Sequence, residues 1–396
     1  MYHGLLEDRN AISARRAKTI GPLEIPLAVS LFFTLLMKKS ALKALQIVSL
    51  IAGLALFVYM IKQAGLETLA RYLRMMGWGF ALILALSALR NCARTASWYL
   101  AIAPSERNVG YWSLANVMLA GEAIKYLTAT GPLLGEPAKA AMVRRKVPLL
   151  EGFSSIVVEN LIYNLTVFLV MLAGLPALAW LIEVPHNIKL AAYVFALVII
   201  LTVALMWLAV RGRWFILARM LEQLARLTSR RSREEPARFE KTVGRVRRVE
   251  ENIYSFYETR RGAFFLIFAV NMLAHFINVI EVYIILALMG LSATVAGGFV
   301  VEAVTKVING AFFFVPARAG VYESGNALAL DALGLGASAG VALAIIRKLR
   351  AFVWIGYGLV AIAAITLKDK RADQSQATKT DRLTFDLSEQ NSKTKI

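Results

Sequence analysis

Long apolar stretches separated by shorter polar segments dominate the pattern along the chain. A helix that spans a bilayer needs about 20 largely apolar residues, because each residue rises about 1.5 Å through roughly 30 Å of hydrocarbon. The stretches that meet or nearly meet this length are residues 44–61, 77–102, 152–182, 190–210, 263–289 and 351–367. The pattern therefore predicts an all-α polytopic membrane protein with about six full transmembrane helices.

Two further apolar stretches, residues 111–130 and 299–315, contain charged residues and end at predicted helix breaks. The charges and breaks are Glu122, Lys125, Pro132 and Gly135 for the first stretch, and Glu302, Lys306, Pro316 and Gly320 for the second. Broken helices at membrane depth are tolerated only against protein or a water-filled cavity. We therefore predict two re-entrant or broken hairpins.

The two predicted hairpins resemble each other in the order of their residues. Each has a Glu and a Lys in the apolar stretch, followed by Pro, Gly and a second Glu, which is Glu136 in the first and Glu323 in the second. The charge of the flanking loops predicts that they enter from opposite sides, which would make the repeat an inverted one, as in many transporters. The alternative is that Pro and Gly end helices in many unrelated contexts.

Lysine and arginine in the loops predict the orientation, because cytoplasmic loops carry an excess of them. The linker 211–261 has 14 basic residues against 7 acidic ones, so we predict that it is cytoplasmic, as are both termini. We expect it to form one or two amphipathic helices on anionic lipid. The predicted segments are a polar and basic N-terminal segment (1–43, with a possible alternative start at Met37), a first membrane half (44–210), the basic linker (211–262), a second membrane half (263–367) and a disordered polar tail (368–396).

The composition argues against a soluble globule. Of the 396 residues, 58% are hydrophobic and only 18% are charged, and the mean hydropathy is +0.59. A net charge of +19 would suggest a nucleic-acid partner in a soluble chain, but here the basic residues lie between apolar runs and report orientation. We predict a multi-pass protein of the inner (plasma) membrane, with membrane lipids and no nucleic acid as partners.

Cysteine and histidine are too scarce to suggest metal or redox chemistry. Cys92 is the single cysteine, and the three histidines are scattered along the chain. The sequence has no Gly-rich nucleotide loop, no nucleophile elbow and no His-Glu-x-x-His motif. We therefore predict no metal and no cofactor, and we assign no catalytic residue.

Ionisable residues within the spans are functional candidates, because a charge in hydrocarbon costs several kcal/mol unless it is paired or hydrated. Glu136 and Lys139 are one helical turn apart, so they could pair or hold a headgroup together; the alternative is a helix cap at the interface. Glu159 requires a cation or a hydrogen-bonded neutral form, and Tyr163 shares its helix face.

Polar residues also form a stripe down the span 263–289. Asn271, His275, Asn278 and Glu281 are spaced by four, three and three residues, which places them on one helix face. Such a stripe either lines a cavity or joins helices by hydrogen bonds.

Basic residues interrupt the last apolar region. Arg347 is the expected partner of Glu159 or Glu323, and a guanidinium can also hold a phosphate through two hydrogen bonds. Arg318 follows the second break, whereas Lys348 and Arg350 are expected to anchor a helix end at the interface.

The order of these motifs resembles a known family. Gly135-Glu136-x-x-Lys139, then Val157-Val158-Glu159, then Pro316-x-x-x-Gly320-Val321-x-Glu323, and finally Arg347, are similar to the lysylphosphatidylglycerol synthase transmembrane-region family over roughly residues 44–367. These flippase-like proteins occur alone or fused to an aminoacyl-transferase domain. The chain departs from the family at Lys139 and Asn160, where Arg is usual, and at Ala317 to Ala319, where Gly-Gly is common. These departures concern the substrate more than the fold.

The resemblance implies an integral membrane lipid translocase that handles a phospholipid or a polyisoprenoid-type lipid. The predicted substrate-binding residues are Glu136, Lys139, Glu159, Tyr163, Arg318, Glu323 and Arg347. Two alternatives stay open: a lipid-modifying enzyme or accessory subunit of lipid (for example hopanoid) biosynthesis, and a small-solute secondary transporter. Lipid-biosynthesis enzymes are possible partners, and the sequence leaves the oligomeric state open.

Overall fold

The computed structural model describes residues 67, 74–127, 131–181, 186–228, 236–312 and 320–393, and the regular elements of these residues are all helical. A short 3-10 helix, Pro104–Glu106, follows the first of them. The α-helices are α1 (Gly79–Ala101), α2 (Tyr111–Leu127), α3 (Gly131–Val143), α4 (Leu149–Leu181), α5 (His186–Arg211), α6 (Ile216–Thr228), α7 (Pro236–Thr259), α8 (Arg261–Leu288), α9 (Val295–Ala311), α10 (Val321–Ala332) and α11 (Ala337–Lys393).

Four helices have both the length and the hydropathy of a membrane span. They are α4, the segment Ala192–Arg211 of α5, α8, and the segment Ala337–Asp369 of α11, and each contains or overlaps a predicted span. Helix α1 covers the predicted span 77–102, whereas the predicted span 44–61 lies outside the described residues. The all-α membrane fold predicted from the hydrophobic pattern is therefore confirmed.

Helices α2 and α3 form a closely packed antiparallel hairpin. Lys139 of α3 lies over Gly121 of α2, and a Cβ at Gly135 would lie 2.9 Å from the Cβ of Lys125. The contact of the lower-numbered residue of α2, Gly121, is with the higher-numbered residue of α3, Lys139, so the two helices are antiparallel. Gly135 was predicted as a break, but it lies within α3, where its missing side chain lets the two helices approach; Pro132 lies in the first turn of α3.

Helices α9 and α10 form the second antiparallel hairpin. Ile308 of α9 lies against Gly325 of α10, and Thr305 donates a hydrogen bond to Asn326. Gly320 stands immediately before α10 with a φ of +80°, a left-handed conformation that glycine adopts without steric cost. Pro316 and Arg318 lie outside the described residues.

Each hairpin lies between two long helices, so the chain contains the same four-helix unit twice. The first unit is α1, the hairpin α2–α3 and α4; the second is α8, the hairpin α9–α10 and α11. Five further pairs of helices are antiparallel neighbours: α1 with α8, α1 with α4, α4 with α9, α10 with α11, and α2 with α11. The contacts of α1 are Arg90 near Asn278 and Arg94 near Asn271 on α8, and Arg94 near Glu159 and Trp98 near Ser155 on α4. The other contacts are Met171 near Gly310 and Gly174 near Ala303 (α4 with α9), Asn326 near Gly340 and Glu323 near Lys348 (α10 with α11), and Leu119 near Gly358 and Leu127 near Phe352 (α2 with α11).

These contacts fix the direction of every element in both units. Since α1 is antiparallel to α8 and to α4, the first helix of one unit is opposite to that of the other. The contacts of α4 with α9, α9 with α10, α10 with α11, α11 with α2 and α2 with α3 then set the directions of the other helices. The equivalent helices α2 and α9, α3 and α10, and α4 and α11 are likewise opposite in direction. The possible inverted repeat is therefore present in the fold, with the units in contact along α1, α2, α4, α8, α9 and α11.

The basic linker contains two helices, α6 and α7, that pack on each other. The carboxylate of Glu250 in α7 accepts hydrogen bonds from the backbone N–H groups of Leu217 (2.8 Å) and Ala218 (3.1 Å), which lie in the first turn of α6. An acidic group there satisfies donors that have no partner within the helix. Arg260, between α7 and α8, donates to the carbonyl oxygens of Leu100 and Ala101 and so ties the linker to the end of α1.

Helix α11 continues through the polar tail to Lys393, where the composition had predicted disorder from residue 368. Residues 368–393 contain no Gly and no Pro, so nothing in the local sequence stops a helix that starts in the apolar segment before them. The predicted tail is thus an extension of the last helix.

Candidate functional site

A cavity of about 770 Å³ lies between the two units. Side chains from α1, α2, α4, α8, α9, α10 and α11 line it, so neither unit forms it alone. This size is typical of ligand pockets, which occupy roughly 300–1,000 Å³.

Four charged residues on the first hairpin form one network of ion pairs. The ammonium group of Lys139 lies 2.7 Å from Glu122 and 3.2 Å from Glu136. Lys125 lies 2.9 Å from Glu136 and 3.5 Å from Glu122. Each charge therefore faces two of opposite sign, and the network holds α2 and α3 together at the edge of the cavity.

Arg94 of α1 is the partner of the buried Glu159 of α4. Its two terminal nitrogens lie 2.7 and 3.3 Å from the two carboxylate oxygens, a bidentate arrangement. The guanidinium also donates to Asn271 of α8 and lies 3.7 Å from the ring centre of Tyr163, within cation–π range. One arginine thus connects the first helix of each unit to α4.

A second network, fully buried, belongs to the second unit. Glu302 of α9 lies 2.8 Å from Lys306 and 2.7 Å from Arg347 of α11. Glu281 of α8 pairs with Arg350 and lies 3.7 Å from Arg347. Arg347 therefore lies between two carboxylates and joins three helices. Such a group of charges is stable in a low-dielectric interior only because each has a partner.

Glu323 of α10 pairs with Lys348 of α11. Its second oxygen accepts a hydrogen bond from the backbone N–H of Gly320 at 2.9 Å, which fixes the start of α10. Glu323 in the second hairpin thus occupies the position of Glu136 in the first, because each is near the start of the hairpin's second helix and pairs with a lysine.

The walls of the cavity are predominantly basic. The cavity cations are Arg90, Arg94, Lys125, Lys306, Arg347, Lys348 and Arg350, whereas the lining carboxylates are Glu122 and Glu302. The remaining four carboxylates of the networks, Glu136, Glu159, Glu281 and Glu323, do not line the cavity. Each of them pairs with a cation that lines the cavity.

The polar stripe of α8 faces this cavity in part. His275 and Asn278 line it, and His275 lies 3.1 Å from the hydroxyl of Thr166 with its ring against Tyr163. Asn271 and Glu281 instead bind Arg94 and Arg350. All four residues of the stripe therefore join α8 to another helix, and His275 and Asn278 also line the cavity.

Several polar atoms around the cavity have no hydrogen-bond partner among the described residues. They are Nδ2 of Asn91, Oδ1 of Asn309, Nδ1 of His275, and Nε of both Arg347 and Arg350. Buried polar groups are normally satisfied, so these atoms are exceptions. Of them, Nε of Arg347 lies 3.7 Å from the carboxylate of Glu281. Within the described residues, no group of three or more His, Cys, Asp or Glu side chains could hold a metal ion.

Of the predicted substrate-binding residues, Tyr163 and Arg347 line the cavity. Four others, Glu136, Lys139, Glu159 and Glu323, do not line it but pair with residues that do. Glu136 and Lys139 pair as the spacing suggested, whereas Arg347 pairs with Glu302 and Glu281, and with neither Glu159 nor Glu323. Lys348 and Arg350 are not interfacial anchors, because both line the cavity and both are ion-paired. Arg318 lies outside the described residues.

Some cavity residues were absent from the predicted set, although the sequence carried a signal for them. Arg90 and Arg94 interrupt an apolar span, and the pairs Glu122–Lys125 and Glu302–Lys306 interrupt apolar stretches. An ionisable residue in such a stretch is a functional candidate by position alone.

The helices and the cavity define a multi-pass membrane protein with a charged, predominantly basic site between two inverted repeats. The chain belongs to the family described as the lysylphosphatidylglycerol synthase TM region, whose model matches residues 46–359. Comparison with curated proteins and with solved structures gives no match. Membership of this family associates the chain with lipid metabolism or translocation.

Proposed function

We propose that the protein moves an amphiphilic lipid, a phospholipid or a polyisoprenoid-type lipid, between the leaflets of the membrane. The observation that carries the proposal is the charged cavity to which both inverted units contribute. A lipid headgroup needs a polar path through hydrocarbon, because unpaired polar groups there cost several kcal/mol each. The headgroup enters the cavity while the acyl or prenyl chains remain in the bilayer.

The inverted repeat supports a mechanism of alternating access. In transporters built from such repeats, rocking of one unit against the other opens a central site first to one side and then to the other. Here the side-chain hydrogen bonds between the units, such as those from Arg94 to Asn271 and from Arg90 to Asn278, are contacts that must rearrange. Movement of lipid is then facilitated, or coupled to an ion gradient.

The test is lipid translocation in vesicles that contain the purified protein. We expect Glu159→Ala and Arg347→Ala each to abolish the movement of a fluorescent phospholipid from the inner to the outer leaflet while membrane insertion stays intact. Arg247→Ala is the control, since Arg247 is exposed on α7, pairs with Glu222 and does not line the cavity. Unchanged translocation in both site variants would contradict the proposed site.

We also propose that the protein lies in the inner (plasma) membrane with both termini in the cytoplasm. The 14 basic residues of the linker 211–261 support this orientation through the positive-inside rule. Fusion of a reporter that is active only outside the cytoplasm to the C-terminus tests it. We expect no activity from that fusion, and an active reporter would show that the C-terminus lies outside the cytoplasm.

A further inference from the structure

We infer that the cavity binds a headgroup of net negative charge, a phosphate or diphosphate ester, and excludes a headgroup of net positive charge. The inference rests on the proposed function and names the class of its substrate. It arises from the distribution of charge between the wall of the cavity and the layer behind it.

The wall offers seven cations and two carboxylates. Four of the carboxylates that pair with these cations are not among the lining residues, so cations outnumber carboxylates at the wall although most of them are ion-paired. A ligand in the cavity therefore meets ammonium and guanidinium groups before it meets carboxylates. Such a layer favours anions, since guanidinium groups bind phosphate oxygens through two parallel hydrogen bonds.

Arg90 is the cavity cation that is held by amide oxygens and not by a carboxylate. It donates to the side-chain oxygens of Asn278 (3.3 Å) and Asn91 (2.9 Å), and among the described residues it has no carboxylate partner. A guanidinium has five N–H donors, so donors remain for a ligand. Arg347 and Arg350, which belong to the facing unit, also line the cavity. Cations from both units can thus contact one anionic group.

A cationic headgroup meets no unpaired carboxylate among the described residues that line the cavity. Glu122 is already paired with Lys125 and Lys139, and Glu302 with Lys306 and Arg347. A ligand ammonium would have to displace one of these partners and leave a buried lysine or arginine unpaired. That outcome is costly in a low-dielectric interior, so aminoacylated lipids are disfavoured.

The test compares headgroups in vesicles that contain the full-length protein. We expect fluorescent phosphatidic acid and phosphatidylglycerol to cross about tenfold faster or more than lysyl-phosphatidylglycerol, the factor expected for one charge-assisted hydrogen bond. Equal or faster movement of the cationic lipid would overturn this inference but leave lipid translocation standing. Movement of none of these lipids would overturn this inference together with the proposed translocation of phospholipids.

A soluble anion could satisfy the same chemistry, so uptake of radiolabelled inorganic pyrophosphate by the same vesicles is measured in parallel. We expect no uptake above that of empty vesicles. Uptake of pyrophosphate without movement of any anionic lipid would assign the cavity to a soluble anion and overturn its assignment to a headgroup.

Two substitutions test the residues that carry the inference. Arg90→Gln is expected to slow the anionic lipids about tenfold, with partial recovery in Arg90→Lys and no change in the surface control Arg247→Gln. Asn278→Asp has almost the same shape and places a carboxylate beside Arg90, so it should shift the preference toward the cationic lipid even where Arg90→Gln fails to fold. An unchanged ratio of anionic to cationic rates in Asn278→Asp would overturn the inference.

Discussion

Glu302 is the residue on which the second network depends. It is fully buried and pairs with two cations, Lys306 on its own helix and Arg347 on α11. Of these two, Arg347 has a further carboxylate nearby in Glu281, whereas Lys306 has none among the described residues. Loss of the charge at Glu302 would therefore leave Lys306 as a buried ammonium without a counter-ion.

We expect Glu302→Gln to lower the free energy of unfolding by roughly 3–5 kcal/mol, the cost of removing one partner from a buried ion pair. The measurement is thermal or denaturant unfolding of the purified protein in detergent. Glu222→Gln is the matched control, because Glu222 pairs with Arg247 on the exposed surface of the linker, where such a pair contributes about 1 kcal/mol or less. Equal stability of the two variants would show that the network does not stabilise the fold.

At the scale of single residues, the sequence identified many of the charged residues in the spans but few of their ion-pair partners. The pair Glu136–Lys139 was predictable because its residues are one helical turn apart, which brings side chains together in any helix. The pair Arg94–Glu159 spans 65 residues and depends on α1 packing against α4, which no local spacing encodes. The wrong partner assigned to Arg347 has the same cause.

At the scale of helices, close packing between the two units depends on glycine. Gly358 of α11 lies against α2, and a Cβ there would lie 2.5 Å from the backbone oxygen of Leu119 and 2.7 Å from the Cβ of Ala123. Backbone atoms cannot rotate away as a flexible side chain can. Gly358→Ala should therefore push α11 from α2 and cost about 1–3 kcal/mol of stability, as overpacking of a dense interior does.

Gly244 provides a control for the Gly358→Ala substitution, because it is a helical glycine without close neighbours. It lies in α7 with nothing within 4 Å of an added Cβ, so Gly244→Ala should be neutral or stabilising by about 0.5–1 kcal/mol. The midpoints of thermal unfolding in detergent measure both variants. A Gly358→Ala protein as stable as Gly244→Ala would show that α2 and α11 are less closely packed than the structure indicates.

Hydrophobic pattern was sufficient to place the long helices and insufficient to place the breaks. Predicted spans 152–182 and 263–289 match α4 and α8 to within a few residues, because twenty consecutive apolar residues have few alternatives to a membrane helix. Gly135 looked like a break, yet it serves the packing of α2 on α3. Glycine permits both roles, and only the position of the neighbouring helix distinguishes them.

At the scale of the whole molecule, the described residues contain an inverted repeat whose two units contribute unequal charges to one cavity. The hairpins correspond closely, with Glu122 and Glu302 on their first helices and Glu136 and Glu323 on their second. The long helices differ, because α8 carries Glu281 where α1 carries Arg90 and Arg94, and α11 carries three basic residues where α4 carries Glu159. Inversion brings basic residues of α1 and of α11 to one cavity, which accounts for the excess of cations among the lining residues.

Alternation between two open states gives a prediction for the molecule as a whole. Cys92 is the single cysteine, so Cys92→Ala provides a background in which one introduced thiol can be followed. Asn309 lines the cavity, and we expect Asn309→Cys in that background to react with a membrane-impermeant maleimide both in right-side-out and in inside-out vesicles. Val301→Cys, on the same helix but fully buried in the core, should react in neither. Labelling of Asn309→Cys from one face alone would mean that the cavity opens to one side only, and a lipid headgroup could then bind there without crossing the membrane.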